Sequence, residues 1–188
     1  MSKVNSMWVR LRVPACAGFV VLALLFAAAS QAEDFRQMKF GAQCEGIEAR
    51  ETTLGSKPDA GKLPSGYQFA FKNREHDRDV IVAYSCRDGV FYRGAYIFDA
   101  ADESDAARLY ATLKRRVSEA MGPPYYDFSS AQHRKKMADV GAELSKVDTL
   151  VSFWKNDTYE AHASVAEPRQ ERGWRVSLSY TALSALEE

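Results

Sequence analysis

The chain has 188 residues, with 25 basic and 25 acidic side chains, and 46% of its residues are hydrophobic. Nucleic-acid binding requires an excess of basic residues, and this chain has none, so its charge does not support a nucleic-acid-binding function. The hydrophobic content excludes a largely disordered chain and is enough for one domain with a buried core.

The first 32 residues have the features of a secretory signal peptide. A basic start precedes an almost wholly apolar run over 13–29, and small residues surround a cleavage site after Ala32. The alternative is an uncleaved membrane anchor, although the run is shorter than the roughly 20 residues that a spanning helix needs. We expect cleavage, which leaves residues 33–188 as a single periplasmic or secreted domain of net charge −3, without stable membrane insertion.

Two cysteines remain after the leader, Cys44 and Cys86, whereas Cys16 lies within it. In an exported protein the default is that such a pair forms a disulfide, with two buried free thiols as the alternative. The two are not in C-x-x-C spacing and have no evident further ligands, so we expect no metal site.

The predicted elements begin with a short helix over 43–53 and a strand over 67–72. Apolar residues then alternate with polar or small ones over 80–86 and again over 90–98. Asp88-Gly89 lies between these two runs, and this arrangement is a strong signal for a β-hairpin.

The spacing of the apolar residues changes after the hairpin. The apolar residues recurring every four positions are Leu109, Leu113, Val117 and Met121. Such spacing predicts one face of an amphipathic helix. Asp102 or Ser104 can cap its start, and Gly122-Pro123-Pro124 ends it because proline cannot donate a helical hydrogen bond.

The remaining residues predict a second helix over 131–147, weakened by Gly141 near its middle, and then three strands. The strands cover 150–154, 159–165 and 174–180, the last with clear alternation of apolar and polar residues. The order αβββα(α)βββ indicates an α+β fold. We expect a mainly antiparallel sheet of about six strands with helices packed on one face.

No catalytic constellation emerges from the sequence. His76 and His133 lie in polar, charged stretches, and His162 lies on the polar side of a predicted strand with Glu160 and Ser164. The acidic residues near 99–105 are explained by capping of the main helix. No motif for a nucleophile, a phosphate loop or a cofactor is present, so we expect no cofactor.

Aromatic residues are dense on the predicted strands, and both faces of the 90–98 strand carry large side chains. One helical layer covers only one face of a sheet, so we expect part of this aromatic surface to face outward and bind a partner. The candidate binding residues are Phe91, Trp154 and His162. Cover by a loop, by the 131–147 helix or by a second copy is the alternative.

Several short features are shared with small exported bacterial α+β proteins of uncharacterised function. They are Phe40-Gly41 before a short helix, Tyr110-x-x-Leu113 in the main helix, Gly122-Pro123 after it, Trp154, and Leu178-Ser179-Tyr180 near the end. The chain resembles those proteins over most of the mature region. The repeated helix-and-sheet order is also similar, at the level of fold, to exported proteinaceous inhibitors, and this similarity implies protein binding.

The sequence therefore favours a non-enzymatic, exported protein-binding module whose partner is another envelope or secreted protein. Two alternatives from other classes remain. One is a small envelope enzyme with a site around His162, and the other is a structural envelope protein.

Overall fold

A computed structural model of the protein describes residues 35–61, 66–75, 77–128, 135, 139, 150–166 and 173–186. Two α-helices are described over their full length, α1 (Ile47–Thr53) and α2 (Glu103–Met121). The strands are β1 (Lys57–Pro58), β2 (Phe69–Glu75), β3 (Arg78–Arg87), β4 (Val90–Ala100), β5 (Tyr126–Asp127), β6 (Val151–Lys155), β7 (Tyr159–Ala166) and β8 (Trp174–Ala182). Short 3₁₀ turns cover Cys44–Gly46 and Leu183–Ala185.

All described strands belong to one antiparallel sheet in the order β1-β2-β3-β4-β8-β7-β6-β5. The expectation of an α+β fold with a mainly antiparallel sheet is confirmed. The expected number of about six strands and the order αβββα(α)βββ are wrong, because the described residues alone form four strands in each half of the chain. The two missed strands, β1 and β5, have two residues each and lie at the sheet edges, so they are too short to show alternation.

The central hairpin is formed as predicted. Asp88 and Gly89 join β3 to β4 with φ angles of 52° and 79°. Positive φ at both positions is the geometry of a type I′ turn, whose twist matches that of the flanking strands, and Asp-Gly adopts it readily.

The main helix, α2, also forms as predicted. Asp102 is its N-cap, and its side chain accepts a hydrogen bond from the Asp105 N–H at 2.7 Å. Gly122 follows the last residue with a φ of 84°, which a side chain would disfavour. The buried face of α2 includes Leu109, Leu113 and Val117, and this face packs on the C-terminal strands and on β4.

Both described helices lie on one face of the sheet, here called the inner face. The buried cluster on that face combines Ile47 of α1, Val117 of α2 and inward side chains of the central strands. The predicted disulfide is confirmed, since Cys44 and Cys86 are bonded and join the turn before α1 to the end of β3. The opposite face is here called the outer face.

Some predictions fall outside the described residues. These are the leader over 1–32, His76, His133 and most of the helix over 131–147. Of that helix only Lys135 and Asp139 are described, and they are helical and joined by an ion pair of 3.4 Å. No helix in the described ranges is both long and apolar enough to cross a membrane.

Candidate functional site

The structure buries two of the three residues that the sequence suggested for binding. Phe91 is 0% and Trp154 is 1% exposed, and both belong to the inner-face core. The ring of Phe91 stacks on Phe40 at 5.0 Å, and Trp154 Nε1 donates to Ser118 Oγ at 3.2 Å. A ligand therefore cannot reach either side chain in this structure.

The inward position of Phe91 has a local cause. The register between β3 and β4 shifts between Ser85 and Cys86, so that Cys86 pairs with Phe91 while Ser85 pairs with Arg93. The extra residue of this β-bulge, Tyr92, interrupts the alternation along β4. Strict alternation puts Phe91 on the face opposite Phe98, but the bulge turns it to the same face.

The exposed aromatic residues lie elsewhere, at the edge formed by β5. Tyr125 is 61% and Tyr126 is 37% exposed, and among the described residues Leu186 is the other exposed large hydrophobic residue. Phe128, Phe153 and His162 are half-buried beside them. These five residues, Tyr125, Tyr126, Phe128, Phe153 and His162, are here called the aromatic patch.

The aromatic patch is built by cross-strand pairing. Tyr126 of β5 is in register with Phe153 of β6, which is in register with His162 of β7. Residues paired in this way project from the same face of a sheet. The rings of Phe153 and His162 stack at 4.4 Å with an angle of 8° between their planes, and Tyr126 meets Phe153 edge-on at 5.7 Å.

Backbone and polar contacts hold β5 in place. The Tyr125 N–H donates to the Phe153 carbonyl at 3.0 Å, and the Phe128 N–H donates to the Val151 carbonyl at 2.9 Å. Asp127, between the two exposed tyrosines and Phe128, accepts a hydrogen bond from Lys114 of α2 at 2.6 Å. The short strand thus presents its aromatic side chains from a fixed backbone.

His162 is the one predicted candidate that lies in the aromatic patch. Burial lowers the pKa of its imidazole, the charge of Arg93 lowers it further, and Glu160 acts in the opposite direction. The lowered pKa favours the neutral form of the ring, which stacks on Phe153.

The hydrogen bonds around His162 are not those of a catalytic nucleophile paired with a general base. Glu160 accepts a hydrogen bond from the Tyr125 hydroxyl at 2.6 Å, and Ser164 Oγ is hydrogen bonded to Ser177 Oγ at 2.9 Å. Among the described residues, neither side chain is hydrogen bonded to His162, whereas a serine nucleophile needs such a bond to its base. The described residues also contain no cluster of three or more side chains that could hold a metal ion.

A second feature is a cleft on the inner face between α2 and the sheet. Its volume is about 210 Å³. Three tyrosines from the sheet, Tyr96, Tyr159 and Tyr180, line it together with apolar residues of α2. The sequence did not indicate this cleft, because the three tyrosines come from three separate strands that meet only in the folded sheet.

No protein-family model matches the chain, and neither a curated protein nor a solved structure shows significant similarity to it. The sequence does contain one indication of the aromatic patch, Pro123-Pro124-Tyr125-Tyr126. The two adjacent tyrosines follow the prolines that end the main helix, in a segment too short to show the alternation of apolar and polar residues typical of a strand.

Proposed function

We propose that this protein is an exported, non-enzymatic binding module that contacts a partner protein through the aromatic patch. The observation that carries the proposal is the exposure of Tyr125 and Tyr126 on a strand whose backbone is fixed by pairing with β6. The proposed binding surface is an aromatic part of the sheet centred on β5, and it includes neither Phe91 nor Trp154, which are buried.

The chemistry of the aromatic patch suits protein recognition. Tyrosine supplies a large contact area with few rotatable bonds, so little conformational entropy is lost when a partner binds. The stacking of Phe153 on His162 and the hydrogen bond from Tyr125 to Glu160 further limit the movement of these side chains. Exposed tyrosines are also frequent among the residues that dominate binding energy.

Export is supported by two independent features. The first is the leader-like composition of residues 1–32. The second is the disulfide between Cys44 and Cys86, since such bonds persist in oxidising compartments and are rare in reducing ones. We therefore propose that the partner is another envelope or secreted protein with an apolar surface.

The proposal is tested by crosslinking pull-down with the full-length chain, tagged at its C-terminus and produced with its own leader. The test variant is Tyr125→Ser with Tyr126→Ser. The control is Leu186→Ser, which removes a large exposed apolar side chain outside the aromatic patch. Partners are quantified by mass spectrometry, and circular dichroism confirms that each variant is folded.

We expect a stoichiometric partner to be recovered with the wild type and with Leu186→Ser, and at least about tenfold less of it with the double variant. A partner that is recovered equally with all three proteins would contradict a role for the aromatic patch. Recovery of no partner by any of them would count against a binding module as such.

A further inference from the structure

The cleft between α2 and the sheet is a second candidate site, independent of the aromatic patch. The aromatic patch lies at the β5 edge, whereas the cleft is lined by α2 and by residues of β2, β4, β7 and β8. The helical layer leaves this opening because α1 has seven residues and packs near β3, while α2 packs mainly on β7 and β8.

The size of the cleft limits what it can hold. A volume of about 210 Å³ corresponds to roughly seven water molecules at ~30 Å³ each. Pockets for drug-sized ligands are larger, at roughly 300–1,000 Å³. The cleft therefore fits a molecule with one ring or a short chain.

The walls are mostly apolar but carry hydroxyl groups. Leu113, Val117 and Met121 contribute from α2, and Tyr96 and Tyr180 contribute from the sheet. Burial raises the pKa of Tyr96 to about 12 and that of Tyr180 further. Both phenols therefore stay protonated at physiological pH and can donate hydrogen bonds.

The charges at the cleft are balanced. The lining includes one acidic residue, Glu75, and one basic residue, Arg116, among the residues described. Glu75 already accepts a hydrogen bond from Arg36 Nη1 at 2.6 Å. A charged ligand would lose hydration on entering and meet no net opposite charge in this lining to compensate for the loss.

We propose that this cleft binds a small neutral molecule that is mostly apolar and carries one hydrogen-bonding group, with phenol as the simplest example. The apolar side chains of α2 contact the ring of the ligand, and a tyrosine hydroxyl contacts its polar group. This is a ligand site and goes beyond the proposed protein-binding function.

The test is a titration of the ¹⁵N-labelled protein, followed by NMR chemical shifts, with three probes of similar shape. The probes are phenol, benzoate and benzylammonium, which are neutral, negative and positive at pH 7. We expect phenol to saturate shifts that cluster at Tyr96, Tyr159 and Tyr180, with the two ions binding at least about tenfold more weakly.

Two variants of α2 test whether phenol binds in the cleft. Ala120 is exposed at the rim of the cleft, so Ala120→Leu places extra bulk into the opening without altering the core. Ala111→Leu makes the same change at an exposed position of α2 that does not line the cleft. Phenol binding should weaken at least about fivefold in Ala120→Leu and stay unchanged in Ala111→Leu.

Three results would overturn the proposal. They are equal affinity for benzoate or benzylammonium, shifts that cluster away from the three tyrosines, and the absence of saturable phenol binding to the wild type. Because the aromatic patch is intact in both helix variants, each of these results leaves the pull-down experiment to be judged separately.

Discussion

The two halves of the domain show the same order of fully described elements but hold them together by different means. Among the elements whose ranges are described, the N-terminal half, residues 35–100, and the C-terminal half, residues 101–186, each contain one helix and then four strands, and the halves meet where β4 pairs with β8. The helix has seven residues in the first half and 19 in the second. This difference determines how the inner face of each half is covered.

In the N-terminal half, a loop segment takes the space that a longer helix would fill. Phe35 packs on Tyr84 and Tyr96, and Gly94 makes room for it, because a Cβ atom there would lie 2.3 Å from the Phe35 ring. Arg36 follows with a positive φ of 45° and donates to the fully buried Glu51 at 2.8 Å. The coverage thus depends on specific long-range contacts.

In the C-terminal half, one amphipathic helix covers the strands by apolar packing. Its start is tied to the other half by Arg78, which donates to both carboxylate oxygens of Asp105 at 2.9 and 2.6 Å. This ion pair holds the pKa of Asp105 well below its usual range. The exposed aromatic residues also belong to this half. Covalent and ionic links thus stabilise the first half, whereas the second carries the proposed binding surface.

The largest expected effect comes from removing the disulfide of the N-terminal half. It closes a loop between residues 42 positions apart, so the double variant Cys44→Ser with Cys86→Ser should lose about 4 kcal/mol of unfolding free energy in the chain-entropy treatment. Guanidinium denaturation of both proteins measures this loss. A denaturation midpoint that does not change would show that the link contributes nothing to stability.

The buried ion pair should contribute the next largest amount. Glu51→Gln keeps the shape of the side chain but removes the charge that faces Arg36, and we expect a loss of about 3 kcal/mol by the same denaturation measurement. Glu48→Gln, at an exposed position of α1, is the matched control and should change stability by less than about 0.5 kcal/mol. Equal effects of the two substitutions would refute the importance of this network.

The C-terminal half should respond more weakly to the loss of a single polar contact. Asp102→Ala removes the N-cap acceptor of α2, and this should cost about 1 kcal/mol. The apolar face of α2 remains, so thermal unfolding should keep one cooperative transition. Loss of α2 from the circular dichroism spectrum would show instead that the cap, and not the packing, maintains the helix.

The smallest expected effect is a pH dependence due to His162. The pKa of His162 is lowered in the folded state, so the folded protein binds a proton at this imidazole less readily than the unfolded chain does. The free energy of unfolding should therefore decrease as the pH falls below ~6.5, the ordinary pKa of histidine. In His162→Gln, the difference in unfolding free energy between pH 7.5 and pH 5 should be smaller than in the wild type. An identical difference would mean that this imidazole is not buried enough to contribute.

The elements that the sequence predicted well are those set by local residues. The Asp88-Gly89 hairpin and α2, with its cap at Asp102 and its stop at Gly122, follow from turn chemistry and helical spacing within short stretches. The disulfide followed from the number of cysteines and the expected compartment. These features need no knowledge of distant contacts.

The features that the sequence did not predict depend on contacts between distant residues. The edge strands β1 and β5 exist only because a neighbouring strand pairs with them. The sequence of β4 does not reveal the bulge at Tyr92, which turns Phe91 inward. The bulge becomes evident only from the register between β4 and β3. For the same reason, the sequence predicted Trp154 and Phe91 as exposed binding residues, although both are buried, and did not single out the exposed Tyr125 and Tyr126.

Site-specific photocrosslinking in cells that produce the full-length protein tests the central claim most directly. A photoreactive phenylalanine derivative replaces Tyr125 in the C-terminal half or, as the comparison, the half-buried Tyr92 in the N-terminal half. We expect a discrete crosslinked product of higher mass from position 125 and none from position 92. Crosslinking from position 92 alone, or from both positions equally, would contradict the assignment of the binding surface to the aromatic patch.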